Sequence, residues 1–412
     1  MNFAFEDLHR KQNFVDNKDS TPGGLKRFTP SPMATSFGVR NIKGIQYQSL
    51  AQRSNNYIFA TGVNHNPLDW TGYQRDDIKN IFDCIPRKVY KDLRKGTAMF
   101  LIDQSLEGYH TDWLFDFIYK NCKQHRINPR QIVYVSGNLL LEKQHLDYCV
   151  EKNIQEKIHA FGYPHFEEDM LLLSESLGIK SRFDKVYNYK KKHLKNIKTF
   201  CLLQKRMRPH RPWFFALLAE QNLLDKGLIN MDKFQGPIKL DDKQMPDSLI
   251  DKAQQHLPLW IDDPNTQHSD DHYIRRITKN YFDNSWVSIV SEASYQEQEQ
   301  TIFISEKTFK PIICHQPFFI LGSKNSLEQL RDMGYKTFEP FIDVTYDKLN
   351  SLDRMNAIIT AIKKIDSIED KLEWYKSMQD ILEHNYENLL KNAKGYNKYT
   401  YKLNDAYREF FA

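Results

Sequence analysis

The sequence lacks any long run of apolar residues. Its 412 residues contain no stretch of about 18 consecutive apolar residues, which is what a membrane-spanning helix needs. The N-terminal segment "MNFAFEDLHRKQNF" carries charges where a secretory signal needs its apolar part. We therefore expect a cytoplasmic protein with no membrane partner.

Cysteine is scarce and scattered. The five cysteines form no C-x-x-C pair, and their number is odd. This arrangement is typical of reduced thiols rather than of a disulfide framework. No H-E-x-x-H segment occurs, and no Cys and His residues have the spacing of a zinc site. We therefore predict no metal site.

Several motifs of nucleotide and ester chemistry are also missing. Without a G-x-x-x-x-G-K-[ST] loop or a G-x-G-x-x-G segment, neither a P-loop site nor a standard dinucleotide site is supported. Without a G-x-S-x-G elbow, a serine hydrolase of the α/β type is disfavoured. The sequence also lacks the Asp-x-Asp pair by which one large group of sugar transferases holds a divalent metal. That absence favours a metal-free mechanism.

What is present indicates a globular α/β protein of two domains. The length exceeds what one hydrophobic core comfortably serves. Apolar strand candidates alternate with helix-length segments, and the alternation restarts near residue 198, which is typical of parallel β-α-β units. The bounds that we predict are 1–55 for an N-terminal arm, 56–190 and 195–350 for two α/β domains, and 351–412 for C-terminal helices.

Positive charge is concentrated in the stretch that joins the two predicted domains. The net charge is +5, and "KVYNYKKKHLKNIK" (185–198) holds six lysines, including Lys190, Lys191, Lys192 and Lys195. Such a run is usually a solvated linker or helix face, and it is also a candidate contact for nucleic acid. The sequence leaves both interpretations open.

A Ser-Glu-Lys corner follows one apolar strand candidate. In "FISEKTFKPIICHQPFFILGS", Ser305, Glu306 and Lys307 stand where a strand passes into a helix. Parallel sheets bind ligands at such places, because the carboxyl ends of the strands meet the amino ends of the helices. There a carboxylate can bond ribose hydroxyls and an ammonium can meet a phosphate. The alternative is that Glu306 caps the helix and Lys307 points to water.

A second corner of the same domain is cationic. The segment "CLLQKRMRPHRPW" also runs from a strand into a helix, and it holds Arg206, Arg208 and Arg211. Arginine offers paired donors that suit a diphosphate. A third strand end, "SIVSEAS", supplies Glu292. Together the corners predict a site for a nucleotide diphosphate.

These segments carry a resemblance to a known family. "SIVSEAS" followed by "FISEKTFKPIICHQPFFILGS" resembles the nucleotide-sugar half of GT-B glycosyltransferases, in particular the fucosyltransferase type. The chain is also similar to uncharacterised glycosyltransferase-like proteins of tailed bacteriophages. The specific part of the resemblance covers residues 198 to about 345. It implies two Rossmann-like domains that face a cleft, a nucleotide sugar as donor substrate, and no other cofactor.

The resemblance also implies roles for particular residues. It gives the ribose hydroxyls to Glu306, a phosphate oxygen to Lys307, and the diphosphate to an arginine among residues 206–211. Arg211 lies nearest the helix start, with Arg206 and Arg208 as rivals. The helix after Ser-Glu-Lys contains Pro311 and lacks the small residues usual in fucosyltransferases. Fucose is therefore not assumed.

An acceptor site is expected in the first domain. A metal-free inverting transfer needs a carboxylate that removes the proton of the acceptor hydroxyl. The strand-end segment "LIDQSLEGYHTD" (101–112) offers Glu107 or Asp103 for this role and His110 for substrate contact. Asn138 follows the next strand and is a further candidate substrate contact, as are His165 and Glu167 near the last strand.

The acceptor itself is open. We favour a modified pyrimidine base in phage DNA, which suits the net charge and the lysine run. A glycan or a small molecule is the alternative acceptor. A function of a different class, a non-catalytic nucleic-acid-binding protein, would use the lysines and arginines as a face that follows phosphates.

Overall fold

The computed structural model describes residues 1–5, 28–29, 45–63, 80–108, 113–176, 178, 181–204, 207–261, 277–295, 297, 300–393 and 398–412. Within these ranges the chain forms two compact units. The first comprises Met1–His165 with Lys394–Ala412, and the second comprises Phe166–Ala393. The domain bounds expected from the sequence stay a prediction.

The strands, numbered along the chain, are β1 (Asn2–Phe5), β2 (Phe28–Thr29), β3 (Gln46–Ser49), β4 (Tyr57–Val63), β5 (Ala98–Gln104), β6 (Ile132–Ser136), β7 (His159–Gly162), β8 (Lys198–Leu203), β9 (Gly227–Asn230), β10 (Lys239–Leu240), β11 (Lys243–Gln244), β12 (Ser285–Ser291) and β13 (Phe318–Leu321).

The α-helices are α1 (Arg87–Arg94), α2 (Trp113–His125), α3 (Leu141–Glu151), α4 (His165–Ser176), α5 (Phe183–His193), α6 (His210–Glu220), α7 (Asp247–Gln254), α8 (Lys279–Asp283), α9 (Glu306–Ile313), α10 (Ser326–Asp332), α11 (Ser351–Asp366), α12 (Lys371–Lys376), α13 (Gln379–Ala393) and α14 (Lys398–Phe411). Short 3-10 turns are Ile81–Cys84, Pro129–Gln131, Leu194–Asn196, Leu224–Lys226 and Thr345–Lys348.

The first unit is built on one sheet. Its parallel strands lie in the order β3, β1, β4, β5, β6 and β7, and β2 pairs antiparallel with β4. Every residue of β5 and β6 is buried, as expected of parallel strands with both faces covered. On one face Phe3, Ile58 and Met99 pack in a cluster with Leu403 and Ala406 of α14. The last helix is therefore part of this unit's core.

The second unit has a parallel sheet in the order β13, β12, β8 and β9. The chain passes from β8 to β9 on one side and then continues with β12 and β13 on the other. The order therefore reverses between β8 and β12, and the register aligns Cys201 with Ser288 across these two strands. In doubly wound sheets the crevice outside the carboxyl ends at such a reversal is where ligands bind.

The α/β class with parallel sheets, expected from the sequence, is confirmed, and helices follow residue 350. Among the described residues, no helix is both long enough and apolar enough to span a bilayer.

One member of the lysine run differs from expectation. Lys190 lies on α5 in line with the buried Phe183 and Val186, and it is fully buried. Its Nζ donates to the carbonyl oxygens of Phe282, Asp283 and Ser285, at 3.1, 3.1 and 2.5 Å. The expectation that Lys190 meets phosphates is therefore wrong, because helical periodicity turns it into the core. Lys191, Lys192 and Lys195 are exposed.

Candidate functional site

Glu292 lies at the carboxyl end of β12 and is almost completely buried. Its Oε1 accepts hydrogen bonds from the Ser305 backbone N–H at 3.1 Å and from the Thr308 hydroxyl at 2.6 Å. Its Oε2 accepts from the Ser305 hydroxyl. The carboxylate therefore holds the start of α9 against the end of β12.

Ser305 is the N-cap of α9. Its hydroxyl accepts from the backbone N–H of Lys307 at 3.4 Å, which satisfies one of the amides that a helix start leaves unpaired. The helix begins at Glu306, so Pro311 lies inside the helix, beyond the first turn in which proline is readily tolerated. The Ser-Glu-Lys corner thus stands at a helix N-terminus, as predicted, but the expected strand before it is wrong, because residues 301–305 are extended without pairing in a sheet.

Glu306 and Lys307 form an ion pair at this helix start. The Lys307 Nζ lies 2.7 Å from Glu306 Oε1 and 3.1 Å from the Ser305 hydroxyl. Burial raises the pKa of the Glu306 carboxyl, but the ammonium groups of Lys307 and Lys310 outweigh it and hold this pKa below its ordinary value. Glu306 is therefore an ionised acceptor at neutral pH, beside an ammonium that is 29% exposed.

Lys310 adds a second cation one turn further along α9. Burial lowers the pKa of its ammonium to about 8, although Glu306 pulls in the opposite direction. The start of α9 therefore combines one buried carboxylate with two neighbouring cations.

The start of α6 packs against the end of β12. Arg211 is buried, and it donates from Nε to the Ser291 hydroxyl and from Nη2 to the Ser291 carbonyl, both at 3.2 Å. The His210 Nε2 lies 3.1 Å from the Glu292 carbonyl oxygen, and the ring stacks on Tyr295 with centroids 4.9 Å apart. Burial, with the nearby Arg211 cation, holds the pKa of His210 well below its ordinary value, so the ring is neutral.

The predicted arginines therefore differ in their surroundings. Arg208 is exposed just before α6, and no side chain caps the first amides of this helix. Arg206 lies outside the described residues. Binding of the diphosphate by any of the three arginines stays a prediction.

Two residues of this crevice were missed by sequence reasoning. Arg354 is fully buried, and its guanidinium carbon lies 4.9 Å from the Tyr295 ring centroid, while it donates to the Gly322 carbonyl and to Glu297. Gln204, the residue after β8, is buried at 3% exposure. Gln204 had a visible signal in the sequence, since it is a polar residue at the end of the apolar strand "KTFCLL"; Arg354 had none.

In the first unit, Asp103 and Glu107 occupy different environments. Asp103, in β5, is fully buried, and its Oδ1 accepts from the Ser105 backbone N–H at 2.9 Å. Glu107 is half-buried. Its carbonyl oxygen accepts from the Ser136 hydroxyl at 3.0 Å and from the Gly137 N–H at 2.8 Å. The structure therefore brings the turn that carries Glu107 to the end of β6.

Asn138 has a part in the local loop. Its Nδ2 donates to Gln144 Oε1 at 2.7 Å, and its Oδ1 accepts from the Leu140 N–H at 3.1 Å. Its carbonyl oxygen is so close to Gly162 that a Cβ there would lie 2.5 Å away, which favours glycine. A substrate contact by Asn138 stays a prediction, and His110 lies outside the described residues.

The last two candidates begin α4. His165 is buried, and so is Glu167, whose Oε1 accepts from the Tyr335 hydroxyl and from Asn392 Nδ2, the latter at 2.7 Å. Glu167 is thus hydrogen-bonded within the second unit. Substrate contact by either residue stays a prediction.

No protein-family model and no curated protein matches the sequence. Among solved structures, the N-terminal domain of a Candida albicans trehalose-6-phosphate phosphatase has a TM-score of 0.46 at 10% identity, over 92% of this chain and 75% of that one. A trehalose-6-phosphate synthase has a TM-score of 0.42 at 11% identity, over 78% and 69%. A glycosyltransferase from Rickettsia africae has a TM-score of 0.32 at 10% identity, over 92% and 79%. With all three scores below 0.5, a function has to be argued from the site itself.

Proposed function

We propose that this protein is a glycosyltransferase whose donor is a nucleotide-diphosphate sugar. The observation that carries the proposal is the ion pair of the buried Glu306 and the partly exposed Lys307 at the start of α9, beside the reversal of strand order in the second sheet. An ionised carboxylate there accepts hydrogen bonds from both ribose hydroxyls, and the partly exposed ammonium meets a phosphate oxygen. The resemblance of the sequence to fucosyltransferase-type enzymes supports the same roles.

The diphosphate is assigned to the start of α6. The first amides of this helix have no side-chain cap, and a helix N-terminus attracts anions. Arg208 is the preferred arginine because it is exposed, whereas the Arg211 guanidinium already donates to Ser291. These cations would stabilise the departing nucleotide diphosphate.

The transfer is proposed to need no divalent metal. Arg208, Lys307 and the helix start supply the positive charge that a leaving diphosphate requires. Within the ranges that the structure describes, no group of three or more His, Cys, Asp or Glu side chains is arranged to hold a metal ion. The general base is assigned to Glu107 rather than Asp103, because Asp103 is fully buried and accepts from Ser105.

For the acceptor we keep a modified pyrimidine in DNA as the first candidate and a glycan or small hydroxyl compound as the alternative. The exposed Lys191, Lys192 and Lys195 and the net charge of +5 support DNA. A non-catalytic nucleic-acid-binding protein is less well supported, because Lys190 and Arg211 are buried and already donate hydrogen bonds within the protein.

A ligand screen tests the donor assignment. Purified protein is heated with UDP-glucose, UDP-N-acetylglucosamine and GDP-fucose, each beside its free nucleoside diphosphate. A ligand at 100 times its dissociation constant should stabilise the protein by about 2.7 kcal/mol. The variants Glu306→Gln and Lys307→Met should fold but lose this stabilisation.

The matched control is Lys348→Met, which removes an exposed ammonium 3.8 Å from Glu328 in the same unit. This variant should keep the full ligand-induced shift. If no nucleotide or nucleotide sugar stabilises the wild type, or if Glu306→Gln responds as the wild type does, the assignment is wrong.

A further inference from the structure

Gln204 is a buried polar residue whose side chain has no hydrogen-bond partner in the part of the chain that the structure describes. The residue is 3% exposed. Neither its Oε1 nor its Nε2 has a partner among the described residues. Its backbone N–H donates to the Asn230 carbonyl at 3.2 Å, so the residue continues β8 by one position. Because Cys201 is level with Ser288, Gln204 is level with Ser291, at the reversal of strand order.

A second buried glutamine in the same unit shows what a structural role requires. The Gln316 Oε1 accepts from the Ser288 hydroxyl and the Cys201 thiol. Its Nε2 donates to the carbonyls of Phe282, at 3.1 Å, and Ser285, at 2.8 Å. Leaving a buried polar group unpaired costs about 1–3 kcal/mol, so such groups are rare and need an explanation. The side-chain amide of Gln204 makes no hydrogen bond to the described residues, and a bound ligand would explain why it is buried there.

The two unpaired atoms limit the chemistry of that ligand. The amide oxygen needs a donor and the amide nitrogen needs an acceptor. A phosphate group offers acceptors alone, so it would leave the oxygen unpaired. A hydroxyl both donates and accepts. Neighbouring hydroxyls therefore satisfy both amide atoms.

We propose that Gln204 binds hydroxyl groups of the donor's sugar and helps to select that sugar. The inference rests on the proposed function. Glu306, at α9, takes the ribose above β12 and β13, and the start of α6 takes the diphosphate. Gln204 directly follows β8, the strand that leads into α6, so it stands next to the proposed diphosphate site along the chain. Gln204 at the end of β8 meets the sugar, and the nucleobase lies on the opposite side of the ribose.

The test uses Gln204→Leu with two readouts. Dissociation constants are measured by calorimetry for UDP-glucose and UDP, and for GDP-fucose and GDP. We expect the nucleotide sugar that binds best to lose about ten-fold or more in affinity, while its free nucleoside diphosphate binds as before. Ten-fold corresponds to about 1.4 kcal/mol, the size of one or two hydrogen bonds.

The melting temperature separates a binding role from a structural one. Gln204→Leu should melt at the wild-type temperature or above it, because it removes unpaired polar atoms from a buried place. Gln316→Leu should melt clearly lower, because it removes the hydrogen bonds that the Gln316 amide makes with Ser288, Cys201 and two backbone carbonyls. A lower melting temperature for Gln204→Leu with unchanged affinities would overturn the proposal.

A second variant, Gln204→Glu, distinguishes a sugar from a phosphate. A carboxylate still accepts hydrogen bonds from hydroxyls but repels phosphate. If residue 204 faces the sugar and not the phosphates, free UDP or GDP should bind this variant as it binds the wild type. If either variant loses affinity for the free nucleotide as much as for the nucleotide sugar, Gln204 contacts the diphosphate or the base, and the proposal is contradicted. A wild type that binds the free nucleotide but gains nothing from the sugar would contradict it too. A wild type that binds neither would overturn the proposed function itself.

Discussion

The carboxylate of Glu292 accepts hydrogen bonds from both the backbone N–H and the hydroxyl of Ser305. Thirteen residues separate the two in sequence, and the bonds join the end of β12 to the N-cap of α9. The Ser305 hydroxyl in turn accepts from the Lys307 N–H. The position of the Ser-Glu-Lys corner therefore depends on a carboxylate in the preceding strand end.

We predict that Glu292→Gln lowers both stability and donor affinity. The substituted amide nitrogen is a donor, so it can no longer accept from Ser305 or Thr308, and an unpaired buried group costs about 1–3 kcal/mol. Denaturant unfolding and nucleotide calorimetry measure the two effects. Thr308→Val removes a single donor to Glu292 and should have the smaller effect on both. Wild-type stability together with wild-type affinity in Glu292→Gln would show that Glu292 does not position the corner.

Glu107→Gln should slow the transfer and leave donor binding intact. Loss of a general base typically costs about 10²–10⁴ in rate, and the proposed nucleotide site is formed by residues of the second unit. The measurements are kcat and the dissociation constant of the nucleotide. Asp103→Asn is the comparison, since it alters the hydrogen bond to Ser105 and should chiefly affect stability. Transfer by Glu107→Gln at the wild-type rate would reassign the base.

Transfer activity should survive removal of divalent metal. In the proposed mechanism the cations at the starts of α6 and α9 stabilise the leaving diphosphate by themselves. Initial rates are compared in buffer and in excess EDTA, with magnesium and manganese added back. A rate that disappears in EDTA and returns with either ion would contradict a metal-free mechanism.

The stability contribution of Lys190 should depend on pH. Burial lowers the pKa of this ammonium from 10.5 to about 7, against the attraction of Asp283. Between pH 7 and 10.5 the unfolded chain therefore binds more protons than the folded one, and stability rises with pH in this window. Lys190→Met lacks that dependence. The free energy of unfolding of the wild type should rise relative to that of the variant from about pH 7 to pH 10.

Lys191→Met is the matched control, because the Lys191 side chain, next to Lys190 in the sequence, is exposed. Its stability should follow the wild type at every pH. A constant difference between wild type and Lys190→Met across the window would show that Lys190 keeps its proton in the folded state.

If DNA is the acceptor, the exposed lysines should contribute to its binding. Replacing Lys191, Lys192 and Lys195 together with glutamine removes up to three phosphate contacts, so affinity should fall and its dependence on salt should flatten. Donor hydrolysis should stay nearly unchanged. Fluorescence anisotropy with duplex and single-stranded DNA over a salt series measures the first effect. A wild type without DNA affinity even at low salt would move the acceptor to a glycan or small molecule.

The sequence determined the α/β class and the strand-to-helix corners. A parallel strand buried on both faces has to be a short apolar run, so "TAMFLIDQS" and "SWVSIVSEAS" were recognisable without any tertiary information. The pattern also predicted a helix start at Glu306 and Lys307, although the apolar residues 301–304 before it form no strand.

Tertiary structure decided what each of these polar groups contacts. Lys190 belongs by sequence to a charged run, yet it is buried because α5 turns it toward Trp286 and Tyr375. Gln204 and Gln316 are both buried glutamines. Among the described residues the Gln204 amide has no hydrogen-bond partner, whereas both amide atoms of Gln316 are hydrogen-bonded. Sequence periodicity is local, whereas burial and hydrogen bonding depend on segments about 90 or more residues away in the chain. For that reason the fold class and the helix starts followed from the sequence, whereas the burial and hydrogen bonding of each charged or amide side chain depended on tertiary packing.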